Sequence, residues 1–245
     1  MQDFTVFRAL GLSFKSWFRN FIPFTLLTAI LYAPVVIYLV TLKPSESWGV
    51  EETLNRTFMY PLYMMVVVST LLPPMLVYKV VQDLNGQKVS FFTSMKYGVR
   101  GILPAIILGG IGVALGQIPA GGIINAVLTC IWFVASPAAV AEKLSNPFTA
   151  MSRSGTLTQG RRWGIFGLLF LVGLVQIGCI FIFVAPLFSS HADPDEASFI
   201  AMAIKVVVTM GIFYMFSGIV QAVSYVLLRQ DKEGVTHDEL AKIFE

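Results

Sequence analysis

The sequence predicts an all-α integral membrane protein with six transmembrane helices and cytoplasmic amphipathic interfacial helices, arranged as a degenerate threefold hairpin repeat. Three observations predict it. Hydrophobic residues make up 56% of the 245-residue chain and charged residues only 13%, with a mean hydropathy of +0.75; soluble domains carry nearer a quarter charged. Six apolar runs approach the roughly 20 residues that a bilayer core about 30 Å thick demands of a helix. No segment alternates apolar and polar residues as barrel strands do, so the spans are helices, which satisfy their own backbone polar groups.

The first element is not a span. Phe4, Phe7, Phe14, Trp17, Phe18 and Phe21 recur at helical spacings, while Arg8, Lys15 and Arg19 lie off that stripe. Such a helix suits the interface plane, with its aromatic face toward the acyl boundary and its cations toward headgroups. Spans one and two follow at about 21–42 and 60–81. A second basic-aromatic lead-in, Ser90–Ile106 with Lys96 and Arg100, opens span three at about 101–118. This span is short and rich in glycine. Its "GGIGVALGQIPAGG" (Gly109–Gly122), with Gly112 and Gly116, predicts close helix approach or a bent or re-entrant turn before span four at about 122–141.

The third lead-in is the clearest. In "NPFTAMSRSGTLTQGRRWGIFG", Asn146 suits a helix cap and Pro147 the first helical position. Gly160 suits the turn that ends the helix, and Arg161, Arg162 and Trp163 form a new interfacial anchor. Spans five and six follow at about 163–188 and 199–228, so residues 1–228 form the transmembrane domain. Residues 229–245 are a short cytoplasmic tail, in which Thr236 and Glu239 form a T-x-x-E capping box. The three lead-ins share a plan: Phe7/Leu10, Phe92/Met95 and Phe148/Met151, then a basic residue, then a span.

Loop charge sets the orientation. Arg8, Lys15 and Arg19, then Lys79, Lys88, Lys96 and Arg100, then Lys143, Arg153, Arg161 and Arg162 fall on one side. The connections at 43–59 and 189–198 are acidic and fall on the other. The positive-inside rule makes the basic side cytoplasmic and places both termini there, in the inner (plasma) membrane of the cell. The first apolar run is too long for a signal-peptide core, so no cleavable leader is expected.

The net charge of +3 follows from the same placement. Cations beside bilayer spans gain about 1 kcal/mol each from anionic headgroups, which predicts membrane phospholipid as a partner and no nucleic acid. Arg8, Lys15, Arg19, Lys96, Arg100, Arg161 and Arg162 are the expected headgroup ligands.

Reaction chemistry has little to stand on. Apart from Lys79 at the cytoplasmic end of span two, Lys205 is the one charge inside a span, near the outer end of the sixth, where it can snorkel or meet Asp193, Asp195 or Glu196. Cys130 and Cys179 read as packing residues. His191 and His237 fall on opposite sides of the membrane, so no metal or other cofactor is expected. No nucleophile triad or phosphate-cradling loop is present, and an enzyme is not expected. Gln117, Asn125, Gln176 and Gln221 are expected to hydrogen-bond between helices. Pro23, Pro34, Pro73, Pro74 and Pro104 are expected to kink or end spans.

"LSNPFTAMSRSGTLTQGRRWGIFGLLFL", with "YVLLRQDKEGV" at Tyr225–Val235, resembles the membrane domain found with bacterial glycerophosphoryl diester phosphodiesterases, and related uncharacterised six-span bacterial inner-membrane proteins. The resemblance implies a six-helix module of unsettled role. In that family the hydrolase activity belongs to a separate soluble barrel domain, for which this chain has no room. Three functions are therefore carried forward: a non-enzymatic lipid-engaging membrane protein, a transporter or channel for a small amphiphile, and a membrane assembly partner of a separate enzyme.

Overall fold

The computed structural model describes residues 4–42, 49, 51–52, 55–84, 86–87, 89–119, 121–183 and 196–234. The Thr236/Glu239 capping box, both histidines and the acidic pair Asp193 and Asp195 lie outside the described residues. Among those described, every regular element is helical. Six helical stretches are long and apolar enough to cross a membrane: Phe21–Thr41, Tyr60–Leu84, Phe92–Leu115, Gly121–Ala141, Arg162–Ile182 and Ile204–Glu233. The chain is an all-α multi-pass membrane protein.

Helix α1 (Val6–Arg19) has three faces. Phe7, Phe14 and Phe18 point outward, Arg8, Lys15 and Arg19 lie on one flank, and Ala9, Ser13 and Ser16 are buried against the bundle. The bundle therefore takes the small face and, contrary to the expected aromatic stripe, also Phe4 and much of Trp17, leaving Phe7 and Phe18 to the surroundings. Phe14 still reaches across its edge to Phe216, with ring centroids 4.7 Å apart. At Asn20 the helix ends: its backbone N–H donates to the Ser16 and Trp17 carbonyls, and α2 (Phe21–Thr41) starts at once. A wide π-type turn at Asn55–Met59 then leads into α3 (Tyr60–Leu84).

The second lead-in differs from the first and third. Helix α4 runs unbroken over Phe91–Gly116, joining the expected interfacial segment to its span. The glycines that could have broken it are used for packing. A Cβ at Gly98 would lie 2.7 Å from the Met75 Cα, and one at Gly101 would lie 2.8 Å from the Pro74 Cβ. On the opposite side a Cβ at Gly218 would lie 2.8 Å from the Pro73 Cα. Both neighbouring helices thus meet α3 at backbone distance around Pro73–Met75. Small residues drive this kind of contact in lipid, where burying apolar surface brings no advantage over lipid tails.

Span four is broken. Helices α5 (Gly121–Trp132) and α6 (Ala135–Ala141) are separated by a turn at Phe133–Val134. Helix α7 (Pro147–Thr158) repairs the gap. Ser154 Oγ accepts from the Val134 N–H at 3.2 Å and donates to the Ile131 carbonyl at 3.0 Å, and Thr158 Oγ1 donates to the same carbonyl at 3.0 Å. Irregular backbone at membrane depth requires such partners. The Asn146 side chain caps α7 by accepting from the Phe148 N–H at 2.9 Å. Gly160, with φ of +80°, makes the left-handed turn into α8 (Arg162–Phe183).

Helix α9 (Glu196–Glu233) has 38 residues, about 57 Å at 1.5 Å per residue. It continues five residues past the expected end of span six and stops at Gly234, whose φ is +63°. In its second half, Ile219, Val223, Tyr225 and Leu228 are fully buried beside α3, where Leu72, Leu76 and Val80 are buried too. Helix α8, in contrast, exposes Phe166, Phe170, Leu174 and Val175.

The glycine contacts predict that Gly98→Ala and Gly218→Ala each destabilise by about 1–3 kcal/mol through overpacking. Gly173→Ala, in an open position on α8, serves as control and stabilises by roughly 0.5–1 kcal/mol. Thermal unfolding in detergent distinguishes the two classes.

Candidate functional site

The spacings of seven and four residues place Arg8, Lys15 and Arg19 on one flank of α1. With Leu12 and Ser16 they line a pocket of about 170 Å³, completed by Asp83 and Leu84 of α3 and Val226, Leu227 and Gln230 of α9. Asp83 is the one carboxylate of this pocket, and it is heavily used. Arg19 Nη2 lies 3.4 Å and Lys79 Nζ 3.6 Å from its oxygens, and the Asn20 amide donates to it as well. Three cations on α1 thus face a single carboxylate that Lys79 already helps to neutralise, so the pocket is positive. On its wall, Ser16 Oγ is buried and has no hydrogen-bond partner among the described residues. The chemistry on offer is guanidinium, ammonium and hydroxyl donors around a space that admits a small oxyanion.

A second cluster lies at the same end of α9. Arg153 Nε donates to both oxygens of Glu142, at 2.8 and 2.9 Å, and its Nη2 donates to Glu233. Glu233 also accepts from Arg229 Nε at 2.8 Å, and the buried Tyr225 hydroxyl bridges Arg229 and Glu142. Arg161 grips Asp231 with two parallel bonds of 2.8 and 2.9 Å. Burial acts against the charge on Arg153, but Glu142 and Glu233 outweigh it and raise the guanidinium above its ordinary range. These pairs fasten α6, α7 and the α7–α8 turn to the end of α9.

The seven expected headgroup ligands therefore separate. Arg8, Lys15 and Arg19 share one pocket, and Arg161 belongs to the ion-pair cluster. Lys96 and Arg100 are exposed on α4. There Arg100 sits over the Tyr97 ring at 5.7 Å, and Tyr97 stacks on Tyr78. Arg162 is exposed at the start of α8 beside Trp163. Lys205 is exposed on α9.

Sequence reasoning missed the acids. Asp83 carried a local signal, standing four residues after Lys79 on one helix face. Glu142, Asp231 and Glu233 were visible only as acids set among basic segments. Comparison with known protein families, with curated proteins and with solved structures yields no match.

Arg153→Met leaves two carboxylates facing each other, and the expected cost is about 1–3 kcal/mol, below the figure for a fully buried pair because the side chain is partly exposed. Arg161→Ala, at a more open position, costs under about 1 kcal/mol. Denaturant or thermal unfolding of both variants checks the order.

Proposed function

We propose that the chain is a non-enzymatic multi-pass protein of the inner membrane, with both termini cytoplasmic, that binds anionic phospholipid at the α1 pocket. The observation that carries this reading is the convergence of Arg8, Lys15 and Arg19 on one small cavity, beside an aromatic face directed away from the bundle. A phosphate diester at the interface matches all three cations, and Phe7, Phe14 and Phe18 mark the acyl level beside it. The headgroup completes the hydrogen bonding of Ser16, and Asp83 holds Arg19 in position rather than competing for the ligand. The positive-inside rule supports the orientation, since the pocket and the ion-pair cluster occupy the basic end. On this reading Arg161 is a structural residue, while Lys96, Arg100 and Arg162 meet bulk headgroups. The resemblance to the phosphodiesterase-associated membrane domains agrees with a module that serves at a lipid surface while chemistry resides elsewhere.

Native mass spectrometry of the gently solubilised protein, with lipid identification, tests the reading. The parent retains an anionic phospholipid. Each cation removed from the pocket costs about 1 kcal/mol, roughly fivefold in affinity, so Arg8→Ala/Lys15→Ala lowers retention by roughly thirtyfold. Lys96→Ala/Arg100→Ala leaves retention unchanged. Equal, loosely held lipid in the parent and in Arg8→Ala/Lys15→Ala would sink the proposal.

A further inference from the structure

A second cavity, well separated from the basic pocket, lies within the span bundle. It measures about 190 Å³ and is walled by α3, α4, α5 and α6, with Gln221 of α9 closing one side. No charged residue lines it. Its polar groups are Ser69, Thr70, Asn125, Thr129, Ser136 and Gln221.

The donors and acceptors around this space are unbalanced. Ser69 and Thr70 both donate to the Val66 carbonyl, at 2.9 and 2.8 Å, and Ser136 donates to the Gly101 carbonyl at 3.2 Å. These three hydroxyls have spent their protons and offer only lone pairs. Pro73 and Pro74 lack N–H groups, so the backbone carbonyls of Ser69 and Thr70 cannot receive the usual bond from four residues ahead. Asn125, Gln221 and Thr129 have no hydrogen-bond partner among the described residues. In hydrocarbon, each unsatisfied polar group of this kind costs several kcal/mol. The cavity therefore cannot stand dry. One water needs only about 10–15 Å³, so the space holds several waters, or one solute that replaces them.

The backbone points the same way. Broken spans at membrane depth occur where they are buried in protein or line a cavity, and discontinuous helices recur at solute sites of membrane transporters. Here the break at Phe133–Val134 brings Phe133 and Ser136 to the cavity wall. The glycine side of α4 makes room opposite, since a Cβ at Gly109 would meet Thr70 and one at Gly112 would meet Asn125, each at 3.4 Å.

The geometry points to a binding site for a small uncharged solute rich in hydroxyl donors, a short polyol in chemical class. An ion would bring a charge that no lining group balances. A polyol donates to the carbonyls of Ser69 and Thr70 and to the spent hydroxyls, and its oxygens accept from the amides of Asn125 and Gln221. Thr129 is exposed at the rim.

The test uses the full chain in liposomes, with Thr129→Cys in a Cys130→Ser/Cys179→Ser background and glycerol as the probe. An uncharged, water-soluble methanethiosulfonate labels the introduced thiol, because water reaches the cavity. Glycerol slows labelling along a saturating curve, by about tenfold when it stands at ten times its dissociation constant. Asn125→Leu or Gln221→Leu abolishes the protection. Pro74→Ala restores an N–H to the Thr70 carbonyl, keeps the Cβ that Gly101 touches and weakens the protection, so it decides the matter should the amide variants fail to fold. No labelling would mean a dry site and overturn the proposal. Labelling indifferent to glycerol at every concentration, or slowed equally in the parent and the variants, would overturn it as well.

Discussion

The bundle depends on how closely two helices approach α3 at Pro73–Met75. Inside a bilayer, burying apolar surface between helices confers no advantage over lipid, so close packing and internal hydrogen bonds must hold the spans together. Gly98 and Gly101 on α4 and Gly218 on α9 let both helices press to backbone distance against one short segment of α3. The prolines have two effects here. They give a hard surface for the glycines, and they strip the Ser69 and Thr70 carbonyls, one turn back along the helix, of their usual partners. Tight packing and polar demand thus come from the same two residues.

Much of this was legible in the sequence, for physical reasons that can be named. The apolar runs are long because the bilayer is thick, so spans one, two and four were found to within a few residues. The Asn146 cap, the Gly160 turn and the cationic flank of α1 are local, and local chemistry can be read from neighbouring residues; the small buried face of α1 was not read. The second lead-in was misread as a separate interfacial helix, on the strength of the plan it shares with the other two, whereas Gly98 and Gly101 lie inside one continuous helix. They are helical, and what they accommodate is a backbone some twenty residues upstream. The break in span four was missed for a related reason. Pro137, which denies the Phe133 carbonyl its usual donor, was the one local sign, and the hydroxyls that make the break tolerable belong to Ser154 and Thr158, in another helix.

The charges teach a similar lesson. Read along the chain, Arg161 and Arg153 look like anchors for a lipid surface, and the acids of "YVLLRQDKEGV" look like a solvated exit. In space the two segments are one another's partners: Arg161 with Asp231, and Arg153 with Glu233. The soft motifs that carried the resemblance are thus the two halves of a single ion-pair cluster, and a structural clasp suffices to explain them. Loop-charge counting assigns a side of the membrane without distinguishing cations that face lipid from those that hold helices together. Arg8 and Lys15 are candidates for the first role because of where α1 lies, which depends on the burial of Ala9, Ser13 and Ser16 rather than on charge.

The repair of span four by α7 has a mechanical corollary. Phe148 is exposed near the start of α7, while Ser154 and Thr158, further along the same helix, are bolted to the hinge between α5 and α6. The helix is a short lever with its handle among the surroundings of the bundle and its fulcrum at a joint inside it. Because α7 is one continuous helix, its exposed start and the turn at Phe133–Val134 are tied together through Ser154 and Thr158.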